Sequence, residues 1–505
     1  MAIIDENTNY LGVPTTLLME NAGRELARIV LSKVDVADKS VIIFAGTGNN
    51  GGDAFVFARH IARFAKTVQV VLIGDYSKIR TPESKLNWAA LLNMKFSIKI
   101  STIQDSSELM NLNIENPGII IDGLLGTGFQ GRIREPTASA IKFINSLEGV
   151  KVAIDIPSGM NPDTGAVEDI AVKADFTVTF HKIKRGLVEN KEYSGEIIPV
   201  EIGIPPEAEF IIGPGDLRLV TKKRPAESHK GDSGKILVIG GGGGNYYSGA
   251  PALAGLAALI TGADLVNIAA PSSVSASIRS YSPDLIVRDL PGNYLSEDAL
   301  ESLDPLLNWA TAIIIGPGLG LEPETVKTIQ VILEQINNLK TPVVVDADAI
   351  KAIAGNKKIL SGYPAVVTPH FGEYKILTGI DLMGMKDSYE RLQVVRNSAE
   401  EFGITLLVKG KDDLISNGQD AKMNVLSASN RKFEHRVGGT GDCLAGIVGC
   451  FLGQNYAPFR AANAGAFVNG LTGELAEKDR CGPHILATDL LKFIPKAIHL
   501  SKVGT

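Results

Sequence analysis

Short apolar runs alternate with amphipathic helical patterns along nearly the whole chain. The runs are rich in Val and Ile, as expected of strands that are buried on both faces. The stretches between them suit crossover helices, so the alternation predicts an α/β fold with parallel sheets. The predicted strands are 41–46, 68–74, 118–122, 150–155 and 176–180, followed by 235–240, 264–270, 312–316, 342–346, 365–369 and 405–410.

A segment rich in proline, glycine and charge, residues 203–234, separates the two groups of predicted strands. Such a composition favours a connection over a packed element. Each half of the chain also has a strand followed by a glycine-rich loop near its start, which indicates two independent α/β domains. We predict that the first domain covers residues 1–212 and the second residues 213–505.

Composition and charge exclude several classes of protein. The 505 residues include 50 Lys and Arg against 56 Asp and Glu, so the net charge of −6 leaves no basic excess for nucleic acid. No apolar run approaches the ~18 residues that span a bilayer, and the chain start lacks a signal-peptide pattern. We therefore expect a cytoplasmic protein without nucleic-acid or membrane partners. Three cysteines without CxxC spacing argue against a disulfide framework and against a zinc site.

Glycine is unusually frequent, with 53 residues, and its positions indicate ligand-binding loops. The first predicted strand is followed by GTGNNGGD, residues 46–53, and then by a helical pattern. Glycines let the backbone approach a ligand, and the free N–H groups at a helix start favour a phosphate. The spacing of Gly46, Gly48 and Gly51 also fits the dinucleotide turn of a Rossmann dehydrogenase, with Asp75 as the acid that would bind the ribose.

Polar side chains inside this loop favour a different ligand. Asn49, Asn50 and Asp53 bring amide and carboxylate groups to a turn that, for a plain pyrophosphate, would present only backbone. Such groups suit a cation or a sugar phosphate with hydroxyls to be held. A strand-to-helix turn that is capped by Asp53 is the purely structural alternative.

Two further strand ends carry similar residues. Asp122 ends one predicted strand, and Asp155, followed by Ser158, ends the next. The carboxyl ends of parallel strands line one crevice, so these residues and Asn50 are expected to converge, although each Asp taken singly could be a helix cap. Oxygen groups without His or Cys suit a hard cation.

The segments LMENAG (18–23), GTGNNGGDAFVFARH, DGLLGTGFQGR, DIPSGMNPDTG and ADFTVTFHKIKRGL together resemble the YjeF-type NAD(P)H-hydrate epimerase domain, over about residues 1–210. The resemblance implies a Rossmann-like three-layer αβα fold, K⁺ bound by Asn50, Asp122 and Ser158, and Asp155 as the residue that contacts the reacting end of the substrate and carries its proton. The other implied substrate-binding residues are Asn49, Asn50, Gly51, Gly52, Asp53, Gly126, Thr127, Gly128, Phe129, Gln130, Gly131 and Arg132. The family usually has glycine after NNGGD, where this chain has Ala54.

The second half has its strongest signal late, in the loop Gly438-Gly439-Thr440-Gly441-Asp442. Free backbone N–H groups before an apolar helix predict an oxyanion or phosphate site, and Asp442 could take a proton from a hydroxyl that attacks a phosphoryl group. No Walker A pattern is present, so a P-loop NTPase is not supported. The glycine run 240–244 is either a second ligand loop or a flexible turn.

The GGTGD loop resembles the anion hole of ribokinase-type kinases, and HKGDSGKILVIGG, YSGAPALAG, IIIGPGLG, VVVDADAI, TPHFGE and LLVKG narrow the resemblance to ADP/ATP-dependent NAD(P)H-hydrate dehydratase, over about residues 225–500. This implies a ribokinase-like α/β fold, Asp442 as catalytic base, and Mg²⁺ organised indirectly by Glu373. The implied contacts are Ala250, Gly318, His370 and Asp442 for the hydrate, and Lys409, Gly410, Lys411, Asp412, Asp413 and Gly441 for the nucleotide. Family members usually have a Thr near the end of the KG segment, where this chain has KGKDD.

Together the two resemblances predict a bifunctional enzyme that repairs hydrated nicotinamide cofactors. The first domain would interconvert the R and S hydrates of NADH or NADPH, and the second would dehydrate the S form with ADP or ATP by phosphorylation and elimination. We expect small-molecule substrates and a homo-oligomer. A hydroxyethylthiazole-kinase-like enzyme with a non-catalytic first domain, an interaction module in the first half, and a dehydrogenase remain alternatives.

Overall fold

A computed structural model of the chain describes residues 2–112, 114, 117–129, 131–221, 227, 229–244, 246–426, 437–482 and 484–503. The chain forms two compact units. One is Leu11–Pro205, and the other combines Met1–Tyr10 with Pro206–Thr505. The first helix of the chain, α1 (Ala2–Tyr10), therefore belongs to the second unit.

The unit Leu11–Pro205 is built on a seven-stranded parallel sheet in the order β3-β2-β1-β4-β5-β6-β7. Its strands are β1 (Ser40–Ala45), β2 (Thr67–Ile73), β3 (Lys99–Ile103), β4 (Pro117–Gly123), β5 (Val150–Ile154), β6 (Phe176–Phe180) and β7 (Glu196–Val200). The helices are α2 (Thr15–Lys33), α3 (Asn49–Ile61), α4 (Pro82–Leu91), α5 (Thr137–Ser146), α6 (Arg185–Glu189) and α7 (Lys191–Ser194), with 3-10 turns at Tyr76–Lys78 and Ser106–Asn111.

The central strands form the core of this unit. Val41, Ile42, Ile43 and Phe44 of β1 are at most 2% exposed, because helices cover both faces of the sheet. The runs predicted from the sequence coincide with β1, β2, β4, β5 and β6, so the sheet has the expected parallel arrangement.

The second unit is built on a nine-stranded sheet in the order β10-β9-β8-β11-β12-β13-β14-β15-β16. Its strands are β8 (Lys235–Ile239), β9 (Leu265–Pro271), β10 (Ile286–Leu290), β11 (Ala312–Ile315), β12 (Val343–Val345), β13 (Ala365–Val367), β14 (Thr405–Val408), β15 (Asp413–Ser416) and β16 (Ala421–Asn424). The strands from β10 to β14 are parallel, and β15 and β16 are antiparallel additions at one edge.

Helices cover both faces of this second sheet. They are α8 (Glu207–Phe210), α9 (Pro214–Arg218), α10 (Gly249–Thr261), α11 (Ser272–Tyr281), α12 (Leu300–Trp309), α13 (Pro323–Leu339), α14 (Asp348–Ile353), α15 (Phe371–Thr378), α16 (Ser388–Phe402), α17 (Thr440–Gly453), α18 (Pro458–Asp479) and α19 (Ala487–Val503), with 3-10 turns at Glu297–Ala299 and Lys357–Leu360. The two faces bury separate apolar clusters, one around α10, α17 and α18 and the other around α13, α14 and α16. Among the described residues, no helix is both long and apolar enough to cross a membrane.

Candidate functional site

In the unit Leu11–Pro205, the predicted site residues meet where the strand order reverses. β1 and β4 are neighbours in the sheet although β2 and β3 lie between them in the chain. In open α/β sheets a crevice forms at such a reversal, at the carboxyl ends of the strands, and ligands bind there. Asn50 follows β1, Asp122 ends β4 and Ser158 follows β5, so the sheet places all three at this crevice.

Asn50, Asp122 and Ser158 form one hydrogen-bonded cluster. Ser158 donates its backbone N–H to Asp122 Oδ2 (2.7 Å) and its hydroxyl to Asp122 Oδ1 (2.6 Å). The Leu125 N–H donates to Ser158 Oγ (2.8 Å), and the Leu125 carbonyl accepts from Asn50 Nδ2 (3.0 Å). Asp122 is 1% and Ser158 0% exposed. The residues thus make a single buried polar centre, which three independent helix caps would not.

The oxygen atoms of this cluster fit a hard cation. Burial raises the pKa of Asp122, and although hydrogen bonds from Ser158 and Leu124 lower it, the net result is a pKa of about 6. A cation beside the carboxylate would offset that cost of ionisation. The Asn50 amide oxygen lies beside Gly126, because a Cβ on Gly126 would be 3.5 Å from it. Amide, carboxylate, hydroxyl and carbonyl oxygens are ligands that hard cations prefer.

Two glycines let the loop after β1 close tightly. A Cβ on Gly51 would lie 1.9 Å from the Gly46 carbonyl oxygen, and a Cβ on Gly46 would lie 2.0 Å from that of Leu124. Gly48, in contrast, has open space around it and directly precedes α3. The first intrahelical bond of α3 is donated by Gly52 to the Gly48 carbonyl, so the N–H groups of residues 49–51 are available to an anion.

Asn49 and Gly52 of this loop lie against the start of α4. Asn49 Oδ1 accepts a bond from the Thr81 hydroxyl (2.7 Å), and a Cβ on Gly52 would lie 2.4 Å from Ser84 Oγ. Asp53 lies in the first turns of α3. Asp75, the acid that a dehydrogenase would need for the ribose, instead caps the turn Tyr76–Lys78 by accepting the Ser77 N–H (2.8 Å).

The loop after β4 lies beside the same crevice. A Cβ on Gly126 would lie 3.4 Å from the Asn50 Cβ, and Phe129 donates its N–H to the Gly126 carbonyl (3.2 Å). Thr127 is half-buried, Gly128 has open space around its Cα, and Gly131 has a φ of +92° that favours glycine. Arg132 is exposed and pairs with Asp169 (3.3 Å), so it does not reach the cluster. Gln130 lies outside the described residues.

Asp155 stands at the end of β5 with an unusual backbone. Its φ of +63° lies in the left-handed region, which is rare for a non-glycine residue and often marks a functional position. Its Oδ1 accepts from the Phe180 N–H (3.0 Å), from the Thr179 hydroxyl (3.3 Å) and from Lys184 Nζ. Asp155 therefore belongs to a second polar group, built with residues of β6 and the loop that follows.

In the second unit, the corresponding reversal lies between β8 and β11, and both strands end in glycine loops. Gly241 donates its N–H to the Pro317 carbonyl (2.9 Å), so the two loops are joined. A Cβ on Gly318 would lie 2.9 Å from the Tyr247 Cβ and 3.6 Å from that of Ala250. Ala250 and Gly318 are thus neighbours at this crevice. Their contact with the hydrate stays a prediction.

Asp442 and Lys409 lie at the carboxyl edge of this sheet, close enough for the charge of each to act on the other. Asp442 lies in the first turn of α17, and a Cβ on Gly441 would lie 3.2 Å from Lys409 Nζ. Lys409 Nζ donates to Asp346 Oδ1 (2.7 Å), which also accepts from the Thr368 hydroxyl (2.7 Å). Burial, and then the charge of Asp346, raises the pKa of Asp442 to about 7. Burial lowers the pKa of Lys409, but nearby carboxylates, that of Asp346 first, outweigh this effect and raise it overall.

His370 and Glu373 form a capping box at the start of α15. His370 Nδ1 accepts from the N–H groups of Gly372 (3.0 Å) and Glu373 (3.2 Å), and Glu373 Oε2 accepts from the His370 N–H (3.0 Å). Because Nδ1 accepts, the proton of a neutral imidazole is on Nε2. The side chain of His370 is 56% exposed and that of Glu373 5%.

The acidic residues of KGKDD shape the turn from β14 to β15. Asp413 accepts from the Gly410 N–H (3.1 Å) and from Asn424 Nδ2 (3.1 Å), and burial raises its pKa to about 6. Asp412 accepts from the Ser388 hydroxyl (2.7 Å). Lys411 is exposed. The two carboxylates are thus held by protein donors, which explains how this chain tolerates them beside a predicted phosphate site.

Sequence reasoning missed Asp346, Thr368 and Lys184. Asp346 and Thr368 are 1% and 0% exposed and end the strands β12 and β13, so the rule that placed Asp122 and Asp155 at strand ends would also have found them. Lys184 lies in a loop after β6, and an isolated lysine there carries no comparable signal.

Two family models match the chain. A model described as YjeF-related protein N-terminus matches residues 15–186, and one described as NAD(P)H-hydrate dehydratase matches residues 236–496. Among solved structures, the ADP/ATP-dependent NAD(P)H-hydrate dehydratase of Bacillus subtilis is 23% identical, covers 58% of this chain and 99% of its own, and has a TM-score of 0.46.

Curated relatives match over nearly the full length. The bifunctional NAD(P)H-hydrate repair enzyme Nnr of Methanothermobacter thermautotrophicus is 41% identical over 99% of this chain and 94% of its own. That of Pyrobaculum aerophilum is 42% identical over 99% and 97%. These matches confirm both predicted resemblances. The chain belongs to the family of bifunctional NAD(P)H-hydrate repair enzymes.

Proposed function

We propose that this chain interconverts the R and S hydrates of NADH or NADPH in its first domain and dehydrates the S form with ADP or ATP in its second. The observation that carries the proposal is a partly buried Asp at the carboxyl edge of each parallel sheet, Asp155 in one and Asp442 in the other, in a chain whose halves match the two families. The first activity is assigned to the unit Leu11–Pro205 and the second to the unit that combines Met1–Tyr10 with Pro206–Thr505.

The first reaction needs a group that moves one proton in both directions. The hydrate is a hemiaminal, with a hydroxyl on the carbon next to the ring nitrogen. The Asp155 carboxylate takes the hydroxyl proton, the carbon–nitrogen bond breaks as the carbonyl forms, and the proton passes to the ring nitrogen. Ring closure on the other face of the carbonyl reverses these transfers and gives the epimer. The helix start at residues 49–51 and the loop Gly126–Arg132 would bind the nucleotide part of the substrate.

The cluster of Asn50, Asp122 and Ser158 would hold K⁺ in this domain. The oxygen ligands of the cluster suit such a cation, and the positive charge of K⁺ would neutralise the buried Asp122 carboxylate. When bound, K⁺ would supply positive charge near the substrate's phosphates. Leu125 adds a carbonyl to the same set and is not among the residues that the sequence predicted.

In the second reaction, Asp442 removes the proton of the ring hydroxyl while the hydroxyl oxygen attacks the terminal phosphoryl group of the nucleotide. The bond from that phosphorus to the departing ADP or AMP breaks, and phosphate becomes the leaving group. The ring nitrogen lone pair then expels phosphate, and loss of a proton from the adjacent carbon restores the dihydropyridine. Ala250, Gly318 and His370 would surround the hydrate.

Lys409 and the N–H groups at Gly441 would hold the nucleotide's phosphates, because the ammonium lies beside the start of α17. Gly410 and Lys411 continue the same segment, whereas Asp412 and Asp413 would act only by holding the turn in place. The carboxylates of Asp346 and Glu373 suit Mg²⁺, which would neutralise phosphate charge when bound. A cytoplasmic location and a homo-oligomeric state stay predictions from the sequence.

The test uses mixed hydrates, Mg²⁺, K⁺ and either ADP or ATP, and follows absorbance of the reduced cofactor. The wild-type protein should convert the mixture completely. In the Asp155→Asn variant, conversion to reduced cofactor should stop when the S hydrate initially present is used up. The Asp442→Asn variant should produce no reduced cofactor but should still equilibrate the R and S hydrates. If both variants converted the mixture fully, the roles would be wrong, and a stable phosphorylated product would favour the kinase alternative.

A further inference from the structure

We propose that Lys184 is a positioning residue of the epimerase site: it fixes one oxygen of Asp155 and leaves the other to exchange the substrate's proton. The inference deepens the proposed function, because it rests on Asp155 as the proton-transferring group. It concerns a residue outside both the nucleotide loops and the cation cluster.

The ammonium of Lys184 is fully engaged by the protein. The residue is 9% exposed, and Nζ donates to Asp155 Oδ1, to the Thr179 hydroxyl (3.0 Å) and to the Phe180 carbonyl (2.9 Å). An ammonium has three N–H donors, so all three are used. Lys184 therefore has no donor left for a substrate, and its effect on the reaction must pass through Asp155.

The Asp155 carboxylate is held on one side only. In the part of the chain that the structure describes, every hydrogen bond to it ends on Oδ1, from Lys184, Thr179 and the Phe180 N–H. The backbone fixes the residue further, because φ is +63° and the Asp155 N–H donates to the Val178 carbonyl (2.8 Å). Oδ2 is the oxygen that remains for the substrate.

This asymmetry suits the epimerisation. The proton must leave the ring hydroxyl, reach the ring nitrogen and later return, so one oxygen in a fixed position can serve both transfers. A carboxylate that could rotate would present its two oxygens at variable distances, and small misplacements of a reacting group are costly. The positive charge of Lys184 also balances the partly buried carboxylate.

The experiment compares Lys184→Met with Lys182→Met, which removes the same charge from an exposed position on the same loop. We expect kcat for epimerisation to fall roughly 100-fold in Lys184→Met, with KM for the hydrate within about threefold. Lys182→Met should keep kcat within about twofold. Dehydration of purified S hydrate by the same chain monitors the second domain and should be unchanged in both variants.

Rescue separates positioning from a general loss of structure. In Lys184→Ala, propylammonium should restore part of kcat in proportion to its concentration, whereas tetramethylammonium, which has no N–H donor, should not. If Lys184→Met retained kcat within about threefold, or lost only affinity, the inference would be overturned. Absence of rescue in a folded Lys184→Ala protein would overturn it too.

Two further variants keep the result interpretable. If Lys184→Met does not fold, Thr179→Val decides, because it removes a hydroxyl that touches both Asp155 and Lys184. A lower kcat at unchanged KM supports the inference, and an unchanged kcat contradicts it. Asp155→Asn tests the underlying role. Full epimerase activity in Asp155→Asn would contradict the proposed role of Asp155 as the base. An inactive Asp155→Asn variant together with a fully active Lys184→Met variant would contradict only the inference about Lys184.

Discussion

Asp442 has to be ionised to accept a proton, and its surroundings oppose that. Burial and the charge of Asp346 raise its pKa to about 7, so the protonated fraction of Asp442 increases as the pH falls below neutrality. We predict that kcat/KM for dehydration falls towards tenfold per pH unit below about pH 7. Initial rates between pH 5.5 and 9 check this. An activity that stayed constant down to pH 5.5 would contradict the assignment.

His370 combines a structural role with a predicted substrate contact, and two substitutions separate them. His370→Ala removes the acceptor for the Gly372 and Glu373 N–H groups and should cost about 1 kcal/mol of stability. His370→Asn supplies a capping oxygen and should restore that stability. Both variants should raise KM for the S hydrate, because neither presents the imidazole Nε2–H. A His370→Asn enzyme with normal KM would leave His370 as a cap alone.

At this scale, position at a strand end marks a candidate site residue in the sequence, a criterion that also applies to Asp346 and Thr368, whereas a residue defined only by its partner carries no such mark. Asp122 and Asp155 follow from their positions at strand ends. The capping role of His370 could have been predicted as well, since a Glu three residues later is the sequence mark of a capping box. Lys184 could not, because its significance lies in contacts with Asp155 and Phe180 that only the folded chain makes.

Among the elements, α3 explains the departure at Ala54. The residue has ordinary helical backbone, is 0% exposed, and its Cβ would lie 2.7 Å from a Cβ on Gly123. We predict that Ala54→Gly, which restores the family's usual residue, lowers stability by about 1 kcal/mol because glycine is a poor helix former. Epimerase kcat should stay within about twofold.

Thermal unfolding and epimerisation kinetics measure the two effects of Ala54→Gly. Gly123→Ala is the complementary variant, since its new methyl group would collide with Ala54. It should be destabilised more in the wild-type background than in the Ala54→Gly background. A higher epimerase kcat in Ala54→Gly would mean that Ala54 is a defect after all.

The central strands could be predicted from the sequence, but several edge strands could not. β1 and β4 are buried along nearly their whole length and read as continuous apolar runs. β3, β7 and β10 are edge strands, and two or three of the five residues in each are exposed. Their sequences KISTI, EIIPV and IVRDL are therefore too mixed for the same criterion. These edge strands form because they pair with a neighbouring strand of the sheet, and this pairing is not visible in their own sequences.

At the scale of the whole molecule, the two units do not simply follow one another along the chain. We expected residues 1–10 to lie in the first domain, whereas the structure groups α1 with Pro206–Thr505. The unit Leu11–Pro205 is therefore inserted between α1 and the rest of the second unit. Among the described residues of α1, the buried ones, Asn7 and Thr8, are polar, so hydrophobic periodicity does not reveal how this helix packs.

Asn7 is the main anchor of α1 within the second unit. It is 1% exposed, its Nδ2 donates to Asp216 Oδ2 (2.8 Å) and to the Ile211 carbonyl (3.3 Å), and its Oδ1 accepts from the Gly215 N–H (3.0 Å). Tyr10 adds an edge-to-face contact with Phe467, with ring centroids 5.9 Å apart. Asn7→Ala would leave buried groups without partners, so we predict a loss of about 2 kcal/mol.

Calorimetry of the full chain can test this, because ADP with Mg²⁺ should shift only the transition of the unit that binds it. Asn7→Ala should lower that transition, and deletion of residues 2–10 should lower it further. The transition of Leu11–Pro205 and the epimerase activity should be unchanged in both proteins. Asn9→Ala, at an exposed position of the same helix, is the matched control. If Asn7→Ala behaved like Asn9→Ala, α1 would be dispensable, and the dehydratase would be complete without the start of the chain.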